Sequence, residues 1–174
     1  MVDTHSDTTA EIDPAHFRKV LGHFCSGVTI ISAFDGRKPI GFTCQSFLSL
    51  SLDPALIAFS ASKTSTTYPR IREIGKFVVN VLASDQDEVS NAFAKSGTDK
   101  WAGVHWKPGQ ILGHPVIDDA LATLECEIAE ETECGDHFLV VARVRHLEAA
   151  SELKPLLFFQ GSYHRLEGQG ANHD

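Results

Sequence analysis

The chain has 174 residues, 43% of them hydrophobic and 22% charged, and a formal net charge of −8. That length fits one domain with a core that needs no staples, and the acidic balance excludes a non-specific nucleic-acid binder while allowing a local basic pocket. No run approaches the ~20 apolar residues of a membrane helix, and the polar Met1–Ile12 stretch is unlike a signal peptide, so a soluble, cytoplasmic protein without membrane or nucleic-acid partners is expected.

Residues 1–12 are polar and aperiodic, which predicts a disordered tail before a single domain over 13–166. Asp13 and Pro14 then start a helix as N-cap and first helical residue, and Phe17, Val20, Leu21 and Phe24 recur at the spacing of one buried face. Ser26-Gly27 ends that helix. Val28 to Phe34 reads as a strand, Asp35-Gly36 as a hairpin turn, and Gly41 to Phe47 as the returning strand. From Leu48 to Leu52 the leucines alternate with Ser49 and Ser51, the mark of a strand with one buried face.

After Asp53-Pro54, Leu56 to Phe59 is a short buried strand. The run Ser60-Ala-Ser-Lys-Thr-Ser-Thr-Thr67 follows, packing six hydroxyl residues and a lysine into eight positions. Two readings stay open for it: a set of donors and one cation that holds a phosphate, or an exposed loop capping the next helix. That helix spans Arg70 to Ile74 and stops at Gly75. Phe77 to Leu82 is a strand by its β-branched content, and Ser84 with Asp87 reads as a capping pair for a helix through Phe93.

Residues 95–115 are predicted irregular and carry Lys100, Trp101 and Trp106; a loop of that length usually has a function. Leu121 to Ala129 alternates again, with Leu124, Cys126 and Ile128 on one face and Thr123, Glu125 and Glu127 on the other. Cys134-Gly-Asp136 turns the chain into a partner strand from Phe138 to Leu147. Leu156 to Tyr163 closes the domain, and 167–174 form a flexible tail. Six or seven strands with two or three inserted helices suggest a mainly β chain closed into a barrel.

Chemically, the cysteines Cys25, Cys44, Cys126 and Cys134 show no C-x-x-C spacing and read as free, small apolar groups. The nine histidines offer no H-x-H or H-E-x-x-H pair, so no metal site is expected. His16, His23, His105, His114 and His146 read as surface or structural. A G-x-S-x-G elbow, a G-x-G-x-x-G turn and a Walker loop are all missing, so redox chemistry here would need an organic cofactor held without a Rossmann fold.

Six segments occur in an order that resembles the short-chain flavin reductases, the reductase components of two-component flavin-dependent monooxygenases. They are Phe24-Cys-Ser-Gly-Val-Thr29, Gly41-Phe-Thr-Cys-Gln-Ser-Phe47, Ser49-Leu-Ser-Leu-Asp-Pro54, Phe77-Val-Val-Asn-Val-Leu82, Gly135-Asp-His137 and Pro155-Leu-Leu-Phe-Phe-Gln-Gly-Ser-Tyr163. The pattern is most similar to reductases serving aromatic-ring hydroxylases, including those of phenol and steroid breakdown.

The resemblance implies a Greek-key split β-barrel that binds FMN, with a few peripheral helices. It also implies a homodimer that moves hydride from NADH, or NADPH in its place, to FMN or FAD. Reduced flavin would then pass by diffusion to a partner oxygenase. It carries Thr43, Cys44, Gln45 and Ser46 to the flavin ring and ribityl chain, and Ser60, Ser62, Lys63 and Thr64 to the phosphate. Gly27 and Val28 would lie on a strand approaching the flavin, and Phe93, Lys100 and Trp101 on a bordering loop, with Trp101 where many relatives have phenylalanine. Tyr163 would reach the flavin of the same or the partner subunit, and His137 would stand on the nicotinamide side as the catalytic residue. Ala142 replaces a frequent glycine, and its methyl would narrow the approach of a bulky adenine. The alternatives are a non-catalytic flavin carrier or sensor on the same barrel, a split-barrel oxidase of a phosphorylated vitamin, and an apolar-ligand barrel.

Overall fold

The computed structural model describes residues 12–150 and 152–166. The two tails expected at 1–12 and 167–174 lie outside the described residues, apart from the exposed Ile12. The first helix, α1 (Pro14–Leu21), starts as its sequence predicts: the Asp13 carboxylate accepts from the His16 N–H at 2.9 Å, with Pro14 in the first turn. It stops at Gly22 rather than Ser26-Gly27, so Phe24 falls outside it. Its apolar stripe is not buried. Phe17, Val20 and Leu21 are each about half exposed and Phe24 is 81% exposed, because among the described residues no element packs over that face.

Strands β1 (Ser26–Gly27), β2 (Thr29–Phe34), β3 (Pro39–Cys44), β4 (Leu48–Leu52) and β5 (Ala55–Ser62) follow, joined after β2 by the Asp35–Lys38 turn with Gly36 at positive φ. Helix α2 (Tyr68–Ile74) ends at Gly75 in the left-handed conformation. Strand β6 (Lys76–Val81) leads to α3 (Asp87–Ala94). The α3 cap is Gln86, not Ser84; its side chain accepts from the Ala83 N–H and donates to the Asp118 carbonyl, while the Ser84 N–H is spent on Lys154. The segment predicted irregular contains a small ribbon, β7 (Trp106–Pro108) with β8 (Pro115–Ile117). Two 13-residue strands, β9 (Ala122–Cys134) and β10 (His137–Ala149), form the long hairpin, and β11 (Leu156–Phe159) pairs with β12 (Ser162–Arg165).

Seven strands join one antiparallel sheet in the order β3-β2-β6-β9-β10-β5-β4, and β1-β11-β12 make a second, three-stranded sheet. The large sheet curls until β3, at one end, meets β5, near the other. Ser46 just beyond β3 donates to the Ser60 carbonyl at 3.2 Å and accepts from the Ser60 N–H at 2.8 Å. Inside the curl lie Ile31, Ile57, Phe59, Tyr68, Phe77 and Val140, all buried, with Phe59 edge-on to Phe77 at 5.4 Å. A second cluster, with Val28, Ile30, Leu82, Phe93 and Leu156, packs α3 against the wall and the small sheet.

Two sequence expectations fail here, each decided by whether a distant segment lies over the strand. Strand β4 is the edge of the sheet, so Leu48, Leu50 and Leu52 face outward, with Leu52 92% exposed, and a bulge interrupts its register between Ser49 and Ser51. Glu125, placed by alternation on a polar face, is buried because residues 109–114 fold over it. Its carboxylate accepts from the N–H groups of Ile111, at 3.1 Å, and Leu112. Gly109 makes room, since a Cβ there would stand 2.6 Å from that carboxyl group. No cysteine is disulfide-bonded; Cys44 and Cys126 are buried, and Cys25 and Cys134 are exposed. Among the described residues no helix is long and apolar enough to cross a membrane.

Candidate active site

Where β3, β5 and the start of β10 converge, the curl leaves a cleft of about 380 Å³. Its walls are Thr43 to Ser46, Ser60 to Ser62 and His137, with Phe42 and Phe93 as apolar surface. Register explains the placement: His137 is the β10 partner of Ser62 on β5, so the turn histidine lies directly across from the hydroxyl run. The Asp136 carboxylate stands 2.7 Å from His137 Nδ1, and that hydrogen bond first, with the charge of His137, holds the Asp136 carboxyl below its usual range. When the ring is neutral and its Nδ1–H is donated to Asp136, Nε2 is left to accept.

The hydroxyl groups divide their work. Thr43 donates to the Ser90 carbonyl of α3 at 2.7 Å and Ser46 bridges to Ser60, so both fix the wall. Ser65 Oγ accepts from the Tyr68 N–H at 3.0 Å, the capping task, while Thr66 and Thr67 line the cleft. Cys44 lines it too, but burial, its main influence, raises the thiol pKa and keeps it neutral.

Lys100 supplies the cation. Its Nζ donates to the carbonyls of Phe93 at 2.9 Å and Gly41 at 3.2 Å, and among the described residues it has no ion-pair partner. Burial lowers its pKa below the ordinary lysine value. Two of its three N–H bonds are thus spent on neutral carbonyls, and the third is available to an anion in the cleft it lines. Phe93 and Trp101 stand edge to face at 4.8 Å beside it, and Trp101 Nε1 is buried with no hydrogen-bond partner among the described residues. A larger cleft of about 810 Å³ adjoins the first, sharing Thr66, Thr67 and Lys100 with it and adding Trp101, Lys38 and Arg70.

Of the residues singled out in the sequence, Thr43, Cys44, Gln45, Ser46, Ser60, Ser62, Phe93, Lys100 and His137 all line the smaller cleft, and Trp101 the larger. Five are elsewhere. Lys63 turns to Glu133 at 2.8 Å and lies over the Phe138 ring, because its own N–H is tied to the Asp136 carbonyl and aims the side chain along β9. Thr64 bonds the Ser62 hydroxyl at 2.8 Å on the outer side of the loop. Gly27 pairs with Leu157 of β11, Val28 is fully buried in the second core, and the Tyr163 hydroxyl lies 2.9 Å from Ser90 Oγ and 3.1 Å from Asn91 Oδ1. Ala142 is fully buried in the main core and touches neither cleft, so its methyl does not narrow them. Ser65, Thr66 and Thr67, which the sequence offers only as part of the hydroxyl run, also line the cleft, as does Ser96, for which the sequence holds no signal.

The family description "Flavin reductase like domain" matches residues 21–167. The chain is 43% identical over 161 residues to the reductase subunit HsaB of a flavin-dependent monooxygenase from Mycobacterium tuberculosis, covering 91% of this chain and 86% of that protein. It is 38% identical over 154 residues to an FMN reductase (NADH), SmoA, from Agrobacterium fabrum, covering 88% and 86%. The fold superposes with a TM-score of 0.86 and 41% identity on a homologue of nitrilotriacetate monooxygenase component B from Mycobacterium thermoresistibile, over 92% of both chains. The curled seven-stranded sheet is therefore the split barrel expected from the sequence.

Proposed function

This chain belongs to the flavin reductase like domain family, and we infer from that membership that it is an NADH-dependent flavin reductase, moving hydride from NADH to FMN or FAD and supplying reduced flavin to the oxygenase of a two-component monooxygenase. The observation that carries the reading to this chain's own residues is Lys100: a partly buried ammonium with no carboxylate partner among the described residues, set beside a hydroxyl rim in a cleft that His137 borders. That donor set fits a flavin phosphate. A cation without an ion pair among the described residues gains most from an anionic ligand, and Thr66 and Thr67 add hydroxyl groups at the same rim.

Bound there, the flavin supplies the hydride acceptor; its redox chemistry is its own. The protein's share is position and surroundings. The β3 end, Thr43 to Ser46, is stiffened by Thr43 on α3 and Ser46 on β5, so it presents a preformed wall. Cys44 stays a neutral thiol and contributes no competing nucleophile. His137, oriented by Asp136, offers Nε2 to the nicotinamide carboxamide. Thr66 stays exposed at the rim, which suits a product that leaves.

Hand-over by diffusion and a cytoplasmic location go with this role. A homodimer goes with the outward leucines of β4 and the bare stripe of α1, which a second copy would cover. The deciding assay is oxidation of NADH with FMN or FAD added in turn. Flavin-dependent turnover is the expected result; a protein that binds flavin yet ignores NADH and NADPH would be a carrier or sensor instead.

A further inference from the structure

Helix α3 gives the smaller cleft more than the Phe93 ring. The Phe93 carbonyl accepts from the Lys100 ammonium at 2.9 Å, and the Ser90 carbonyl accepts from the Thr43 hydroxyl at 2.7 Å. Two polar residues of the cleft are therefore set by where α3 lies. A helix of eight residues is too short to hold its own place, so its neighbours must fix it. Gln86 secures its start, through the Ala83 N–H and the Asp118 carbonyl. Farther along, Tyr163 secures its middle. The Tyr163 hydroxyl lies 2.9 Å from Ser90 Oγ and 3.1 Å from Asn91 Oδ1, and its ring stands edge-on to Phe158 at 5.3 Å.

Tyr163 lines neither of the two clefts at the site; it borders a separate hollow with Asp87 and Arg165. Ser90 is fully buried, so its hydroxyl needs a partner, and among the described residues Tyr163 is the one within hydrogen-bond distance. We propose that Tyr163 is a positioning residue for flavin: its hydroxyl locks Ser90, and with it α3, at the setting in which Thr43 and Lys100 meet the cofactor. The proposal rests on the flavin reductase reading. Tyr163 acts through the helix instead of touching the flavin. The side chain suits the task, because a tyrosine ring anchored in the β11–β12 sheet is a rigid strut with its polar group at the far end. Loss of the hydroxyl strands Ser90 Oγ and lets α3 turn, and a small turn moves both carbonyls on which Thr43 and Lys100 are held.

The test is a double-mutant cycle on the dissociation constant of FMN, read by quenching of flavin fluorescence without NADH. Tyr163→Phe keeps the ring against Phe158 and should weaken FMN about fivefold, and Ser90→Ala about threefold. Both changes cut one link, so the double variant should stay near fivefold instead of reaching the product of independent effects, about fifteenfold. In turnover the loss should fall on KM for flavin, with kcat at saturating flavin and KM for NADH within about twofold of wild type. Thermal unfolding shows that each variant is folded; should Ser90→Ala fail to fold, Asn91→Ala, at an exposed position on the same hydroxyl, takes its place in the cycle. A Tyr163→Phe protein with the wild-type flavin constant overturns the proposal, even if it melts lower, since the residue is then structural only. A double variant at the full product overturns it too, as direct contact between Tyr163 and flavin would give that result. Either outcome leaves a wild type that binds flavin, whereas a wild type that binds neither FMN nor FAD sinks the reductase reading itself.

Discussion

Lys100 is the residue on which the phosphate assignment turns, and its burial gives a pH signature. A base whose folded pKa is lowered binds its proton less tightly than in the unfolded chain. Folding stability attributable to it therefore rises with pH through the alkaline window below the ordinary lysine value. Anion binding runs the other way, because the ammonium is lost over that same window. Flavin affinity should accordingly fall earlier than an exposed lysine would dictate, and Lys100→Met should weaken flavin by about tenfold, the scale of one charge-assisted hydrogen bond, and flatten that pH dependence. His137→Ala should raise the barrier to NADH use by about 1–3 kcal/mol at unchanged flavin dissociation constant; identical NADH kinetics would make the Asp136–His137 pair a turn fastener only. At this scale the sequence was informative about residue types and poor about directions. Thr43, Ser46 and Lys63 all carry suitable polar groups, yet backbone geometry points Thr43 at α3, Ser46 at β5 and Lys63 at Glu133, and no pattern in one sequence encodes those partners.

Among elements, β3 and α3 meet where Gly41 faces the Phe93 ring. A Cβ on Gly41 would stand 2.7 Å from the Phe93 ring and 3.0 Å from the Ile31 carbonyl, so the glycine is what lets α3 lie flat on the wall. Gly41→Ala should destabilise the protein by about 1–3 kcal/mol through overpacking, and should weaken flavin besides, since it displaces both Phe93 and a carbonyl that holds Lys100. Thermal unfolding and flavin titration on one preparation would check both. Local signals served well where the determinant is local: Asp13-Pro14 begins α1 and Gly75 ends α2 as read. They failed where the determinant is a distant neighbour. Leu48, Leu50 and Leu52 alternate perfectly, but a strand's apolar side is buried only if something lies over it, and β4 is the edge. Glu125 makes the converse case, a charged residue drawn inside by backbone donors from a loop more than ten residues away.

For the whole molecule, the apolar surface left on β4 and α1 is large for a lone chain. Sedimentation at micromolar concentration should find a dimer, and Leu50→Asp with Leu52→Asp should give a folded monomer; a wild-type monomer would remove the second copy from the account. The barrel itself was legible from strand count and turn spacing, but its strand order was not, because β5 and β10 pair across 74 intervening residues (62 to 137) on the strength of registers that only the closed sheet reveals. That order has a mechanical corollary. The two lips of the smaller cleft, β3 and β5, sit at far-apart places in the seven-strand sequence of neighbours and are joined by the Ser46–Ser60 hydrogen bonds and by the Phe42 and Phe59 rings. Anything lodged between them rivets the seam of the cylinder, so occupancy and resistance to heat should climb together, and a melting curve becomes a gauge of how tightly the seam is held.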